Sequence, residues 1–168
     1  MEEKLKNQII VLIIGVLIGA SGYLANSLIL WNASVDKEKS DIAEGIYLDV
    51  SSLEDILVST DRLLLDQDDK YVFIQSDPFY TSDGLYFAYQ RDIPRMDRQV
   101  ANDTFSFYNH LLLAERDRGS IYEIQRRGDL RLITPLELNQ QYILTKKVAY
   151  EVNKSVGLLN ILQDELGK

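Results

Sequence analysis

The chain contains no cysteine, and it has only one histidine and three prolines among its 168 residues. Without cysteine there is no disulfide framework, thiolate metal site or cysteine nucleophile, and one histidine cannot build a histidine-rich metal cluster. Nucleotide-binding glycine loops, G-x-S-x-G and H-E-x-x-H are also absent. The excess of acidic over basic side chains, 26 against 18, gives a net charge of −8 and disfavours nucleic acid as a partner. We therefore predict no cofactor.

Residues 9–31 form a stretch of 23 residues without a charge, ending at Trp31. As a helix it would be about 35 Å long at about 1.5 Å per residue. That length exceeds the hydrocarbon core of a bilayer, about 30 Å. We predict a short N-terminal tail over residues 1–8, a single transmembrane helix over 9–31 and the lipid bilayer as a partner. Trp31 is suited to the headgroup level at the end of such a helix.

A cleaved signal peptide is the alternative interpretation of this segment. Lys4 and Lys6 would form its basic region, and Ala20-Ser21-Gly22 offers small residues for cleavage. However, the apolar run continues to Trp31, beyond the span of about 7–15 residues that is usual for the apolar region of a signal peptide. This length favours a retained anchor.

Small residues recur within the predicted membrane helix. Gly15 and Gly19 form a G-x-x-x-G motif, and Gly22 extends the same surface. Small residues allow two helices to approach closely in lipid, so this surface is a candidate for homodimer formation. The alternative is that glycine is simply frequent in membrane helices.

Basic residues near the span give a weak indication of orientation. Lys4 and Lys6 precede it and Lys37 and Lys39 follow it, and the terminal amino group adds a positive charge at the start. This balance favours an N-terminus inside and the larger domain outside. Three N-x-[ST] sequons begin at Asn32, Asn102 and Asn153, and they matter only if the domain meets a glycosylation machinery.

The rest of the chain has the pattern of an all-α domain. Residues 32–41 are a linker or a continuation of the helix, and residues 42–168 are the predicted helical-bundle domain. A first helix is predicted from about Ser40 to Leu65. Its apolar residues recur at helical spacing: Ile42, Ile46, Val50, Leu53, Leu57 and Leu64.

Two further helical segments are predicted. One runs from about Gly84 to Gln125, where Pro94 kinks the helix or begins a new one and Gly119 is a candidate end. The other begins at a capping box, Thr134-x-x-Glu137, with proline at its first position. Short connections between long helices predict an antiparallel bundle of three to four helices. Only residues 71–74 resemble a strand.

Residues 71–89 are rich in aromatic side chains, with seven of the sixteen in the chain. Such a connection could form a ligand pocket from Tyr80, Tyr86 and Tyr89, with Arg91 and Arg95 as anion donors. It could equally cap the end of the bundle core.

The remaining chemical candidates are weak. Asp66, Asp68 and Asp69 cluster after the first helix but lack the pattern of a calcium loop, and His110 has no carboxylate at helical spacing. We therefore predict a non-enzymatic, single-pass membrane protein whose helical bundle binds an unidentified protein partner or serves as a structural module. The alternative is a membrane-anchored accessory domain that senses a ligand through residues 71–89.

Overall fold

A computed structural model describes residues 2–67, 70–73, 75–81, 84–128 and 132–167, with side chains from residue 20 onward. These residues form five α-helices and one short 3₁₀ helix, and no strand occurs among them. The helices are α1 (Glu2–Ser52), α2 (Glu54–Leu65), α3 (Leu85–Tyr89), α4 (Arg98–Gly128) and α5 (Pro135–Leu166), with the 3₁₀ helix at Ile93–Arg95. The predicted all-α fold is confirmed, and the strand-like residues Tyr71, Val72 and Phe73 are not part of a sheet.

The chain divides into two compact units, residues 1–41 and residues 42–168. The first unit is helical throughout its described residues, including residues 32–41. In the part of the chain that the structure describes, no helix combines the length and apolar composition needed to cross a bilayer. The predicted transmembrane helix over 9–31 is thus not supported by the structure, and the side chains of residues 9–19 lie outside the description.

The second unit begins with the last turns of α1 and continues into α2. The two helices are separated at Leu53, whose N–H bonds to the carbonyl of Val50. All six apolar residues of the predicted stripe are buried: Ile42, Ile46, Val50, Leu53, Leu57 and Leu64. Helical spacing therefore identified the buried face correctly, although it did not indicate the break.

The predicted helix over 84–125 is three separate elements. Pro94 lies within the 3₁₀ helix, where its missing N–H and fixed φ are tolerated. Helix α4 begins after Asp97, whose Oδ1 accepts from the N–H of Gln99 at 2.8 Å. It passes through Gly119, where a β-carbon would meet no atom within 4 Å, and ends at Gly128. The suggested end at Gly119 was wrong, because nothing at that position interrupts the backbone hydrogen bonds.

Helix α5 begins as predicted. Thr134 accepts from the N–H of Glu137, and the Glu137 carboxylate accepts from the N–H of Thr134 at 3.0 Å. Its buried residues recur at helical spacing along its length. That face comprises Gln141, Leu144, Thr145, Val148, Val152, Ser155, Leu159, Leu162 and Leu166.

Helix α5 packs most extensively against α4 and also contacts α2. It runs antiparallel to α1 and α2: Asn153 bonds to Asp61, Gln163 bonds to Glu54, and Gly167 lies beside Tyr47. The connection from α4 to α5 is therefore at the end of the bundle away from residue 42. We call this region, formed by the last turns of α4 and the first turns of α5, the distal end.

Candidate functional site

The five residues of the predicted aromatic pocket lie in different surroundings in the structure. Tyr80 is buried, Tyr86 is half-buried, and the Tyr89 ring lies against Gly45 of α1. Arg91 is exposed, and Arg95 lies 3.5 Å from Asp92. Tyr80 belongs to the buried core cluster and Tyr86 and Tyr89 pack against it, so these aromatic rings cover part of the bundle core.

At the centre of this cover, two tyrosines share one carboxylate oxygen. The hydroxyls of Tyr80 and Tyr108 donate to Asp49 Oδ2 at 2.5 and 2.6 Å. Asp49 is only 8 % exposed, and Tyr108 is fully buried. The Tyr80 oxygen also accepts from the N–H of Tyr86 at 2.9 Å. Because all these polar groups have partners, the cluster can be buried without the cost of unpaired donors.

The electrostatics of the cluster keep its hydroxyl groups protonated. Burial raises the pKa of Tyr108 and of Tyr80 far above the usual tyrosine range, and the hydrogen bond to the Asp49 carboxylate raises both pKa values further. Burial also raises the pKa of Tyr86, whose ring stacks on that of Tyr108 with centroids 4.2 Å apart. Hydroxyl groups held in this way act as hydrogen-bond donors, and they are poorly suited to act as proton acceptors near neutral pH.

Residues 71–73 and 75–81, which we call the strap, cross the bundle and are fastened to α4 by Arg118. Its guanidinium binds Glu115 with two hydrogen bonds, at 2.6 and 2.9 Å. Its third nitrogen donates to the carbonyls of Gln75 and Ser76 at 2.9 and 3.1 Å. Glu115 in turn accepts from the N–H of Phe79 at 2.8 Å. One ion pair thus satisfies three backbone groups of a segment without regular structure.

Other side chains join the strap and the helices. The N–H of Phe73 donates to Thr145 Oγ1 of α5 at 3.0 Å. His110 Nδ1 of α4 lies 2.6 Å from Glu151 Oε2 of α5. His110 is thus paired across helices with a carboxylate 41 residues away, which spacing along a single helix could not reveal. The pair crosslinks α4 and α5.

Two cavities open at the distal end. A polar one, of about 610 Å³, is lined by Arg116, Arg127, Glu137 and Gln140 among others. The second, of about 460 Å³, has more apolar walls, which include Val72, Ile133 and Leu138. Tyr122 borders both. Neither cavity is lined by any of the five residues of the predicted pocket.

The second cavity contains a residue that sequence reasoning missed. Gln141 is 2 % exposed, and its Nε2 has no hydrogen-bond partner. A signal was present in the sequence, because Gln141 lies three and four positions before Leu144 and Thr145 on the buried row of α5. A long polar side chain on an apolar row marks an interior donor or acceptor that needs a partner.

The other candidates from the sequence lie partly outside the described residues. Asp68 and Asp69 are not described, and the described residues contain no group of three side chains suited to holding a metal ion. Of the small residues predicted to pack in the membrane, Gly15 and Gly19 have surroundings that lie outside the description. At Gly22, a β-carbon would meet nothing within 4 Å.

Compared with protein-family models, curated proteins and solved structures, the chain matches none of them.

Proposed function

We propose that this protein is a membrane-anchored, non-enzymatic module whose helical bundle binds a protein partner or serves a structural role. The observation that carries the anchor is the surface of α1 over residues 23–31. Six large apolar side chains there are between 58 and 76 % exposed: Tyr23, Leu24, Leu28, Ile29, Leu30 and Trp31. Apolar surface of this extent is unfavourable in water and favourable in lipid. The apolar sequence of residues 9–18 extends it towards the N-terminus.

A structural or binding role is supported by how the interior polar groups are used. Asp49, Tyr80 and Tyr108 bind one another, and Arg118 and Glu115 bind the strap. These groups hold segments of the chain together, as expected of a scaffold that displays a fixed surface.

Membrane extraction tests the anchor. Wild-type chain is expected to remain in the membrane fraction through alkaline carbonate and to be released by detergent. Leu24→Arg places a charge in the apolar surface, at a cost of about 3 kcal/mol near the centre of a membrane helix, and should release a measurable fraction. Leu48→Arg is the matched control, because Leu48 is an exposed leucine of the bundle unit, and it should stay in the membrane.

Two results would contradict the anchor. One is wild-type chain that carbonate releases. The other is a mature N-terminus that mass spectrometry locates near Ser21, which would identify the segment as a cleaved signal peptide.

Sidedness follows from cysteine labelling, because the chain has no native cysteine. With the N-terminus inside, a membrane-impermeant maleimide should label Ser40→Cys in intact cells and label Lys6→Cys only after lysis. The opposite pattern would put the bundle inside the cell and would overturn the proposed orientation.

The proposal includes a homodimer in which two copies of the chain pack through Gly15, Gly19 and Gly22. Gly19→Leu should reduce energy transfer between labelled copies in liposomes, because leucine prevents close helix approach. Ile18→Leu is the control and should leave energy transfer unchanged. Equal transfer for Gly19→Leu and wild type would rule out this surface.

A further inference from the structure

The more apolar cavity of the distal end has the features of a small-molecule site. Its volume of about 460 Å³ lies within the range of ligand pockets, about 300–1,000 Å³. Val72 of the strap and Tyr122, Ile133 and Leu138 of the α4–α5 end supply apolar walls. Tyr122, Ile133 and Leu138 each remain at least 38 % exposed, so an apolar group that entered the cavity would cover surface now in water.

Two polar side chains of this cavity, Gln141 and Arg126, offer hydrogen-bond donors, and Ser76, Tyr122 and Gln125 can donate or accept. Gln141 Nε2 is buried and has no partner within the protein, which is unfavourable for an amide group until an acceptor binds it. Arg126 also lines the cavity, and its Nη2 lies 3.4 Å from Glu123 Oε2. That long contact uses one of the five N–H donors of a guanidinium group.

We propose that this cavity binds a small apolar carboxylate, with the apolar body between Val72, Ile133 and Leu138 and the carboxylate between Gln141 and Arg126. Two hydrogen-bond donors that line one cavity favour a ligand with hydrogen-bond acceptors. A guanidinium group favours an anion over a neutral or cationic group. This site goes beyond the proposed anchoring and binding role. Val72 and Ser76 of the strap line it, but none of the five residues of the predicted aromatic pocket does.

The first experiment is a calorimetric titration of the full chain in detergent with 3-phenylpropanoate, corrected by the same titration into detergent alone. We expect saturable binding with a Kd below about 1 mM. Gln141→Leu and Arg126→Gln should each raise the Kd about tenfold or more, since each removes a donor to the carboxylate. Arg127→Gln is the matched control, because Arg127 lines only the polar cavity, and it should leave the Kd unchanged.

Analogues of the probe separate the contributions. 3-Phenylpropan-1-ol keeps the ring but lacks the charge, so it should bind more weakly to wild type and be insensitive to Arg126→Gln. 3-Phenylpropylamine should not bind. Absence of saturable binding of the carboxylate, or binding that Gln141→Leu and Arg126→Gln leave unchanged, would overturn the proposal.

Folding of the variants is checked by thermal unfolding. Gln141→Leu replaces an unpaired buried amide by an apolar group of similar size, so its midpoint should equal or exceed that of wild type. Leu138→Trp is a second variant that fills the cavity from its partly exposed edge. It should abolish binding with an unchanged midpoint, and a folded Leu138→Trp protein that binds as wild type does would contradict the site.

Discussion

The hydroxyl of Tyr108, in the middle of α4, donates to Oδ2 of Asp49 in α1 over 2.6 Å, with both residues buried. The same oxygen accepts from Tyr80, so one carboxylate joins two helices and the strap. Hydrogen bonds to a charged acceptor are stronger than those to a neutral one.

Asp49→Asn is therefore expected to lower the free energy of unfolding by about 2 kcal/mol, because both bonds lose their charged acceptor. Asp41→Asn makes the same change at an exposed position of α1 and should shift stability by less than about 0.5 kcal/mol. Urea unfolding of the purified chain measures both. Equal effects of the two substitutions would mean that the shared carboxylate contributes nothing beyond its general charge.

Stability should also fall at high pH. The pKa values of Tyr80 and Tyr108 are raised in the folded protein, so above about pH 10, the ordinary tyrosine pKa, the unfolded chain loses protons that the folded chain retains. The stabilisation is thus complete below that pH and is lost as the pH rises above it. In this range, each such tyrosine lowers the free energy of unfolding by about 1.4 kcal/mol for every pH unit.

Unfolding at several alkaline pH values, with tyrosinate absorbance as a second signal, measures this effect. Tyr108→Phe should make the alkaline slope shallower, whereas Tyr150→Phe, at an exposed site of α5, should leave it unchanged. A slope that Tyr108→Phe does not alter would assign the alkaline loss to other groups.

Arg118 should control the attachment of the strap. Arg118→Lys keeps the charge but cannot bind Glu115 and two carbonyls together, so we expect a loss of about 2 kcal/mol and faster amide exchange at Phe79. Arg116→Lys is the matched control, because Arg116 is exposed and pairs with its neighbour Asp117 on the same helix. Hydrogen exchange followed by mass spectrometry makes the comparison, and equal protection of Phe79 in both variants would argue against the fastening role.

Substitution by alanine should change protein stability in opposite directions at two helical glycines. A β-carbon at Gly45 would lie 2.5 Å from Cε2 of Tyr89, so Gly45→Ala should destabilise the protein by about 1–3 kcal/mol through overpacking. At Gly157 of α5 the same atom meets nothing within 4 Å, and Gly157→Ala should stabilise by about 0.5–1 kcal/mol. Thermal unfolding of both variants gives the two signs. Stabilisation by Gly45→Ala would show that the Tyr89 ring moves aside freely.

The fold was largely predictable from local patterns. The stripe from Ile42 to Leu64 and the capping box at Thr134 follow from helical periodicity and terminal hydrogen bonding, which depend only on residues three or four apart. The break at Leu53 was not predicted, because tertiary packing decides whether one helix or two fit the core. Division of the second segment near Pro94 was one of the two alternatives that the sequence left open.

The candidate sites depended on distant partners and were much less predictable. Arg118 and Glu115 are three residues apart on one helix, a spacing typical of ordinary surface pairs, and only the strap, some forty residues earlier in the chain, makes them an anchor. In the sequence, nothing distinguishes Asp49 from the other acidic residues of the first helix. Its role depends on Tyr80 and Tyr108, which the fold brings within hydrogen-bond distance. By contrast, Gln141 could have been found from the sequence, because it interrupts an apolar row.

The strap also has a consequence for the order of events during synthesis. Two backbone N–H groups of the strap donate to the side chains of Glu115 and Thr145. These side chains lie 36 and 72 residues after their donors in the chain. The ribosome therefore synthesises the aromatic segment well before the groups that bind it. The buried face of α1 and α2 is covered only after α5 has been synthesised. Late, long-range contacts of this kind slow folding and prolong the exposure of apolar surface. A ribosome-bound chain that stops before residue 115 lacks Glu115, Arg118 and Thr145 and would present this segment unfastened to any chaperone that meets it.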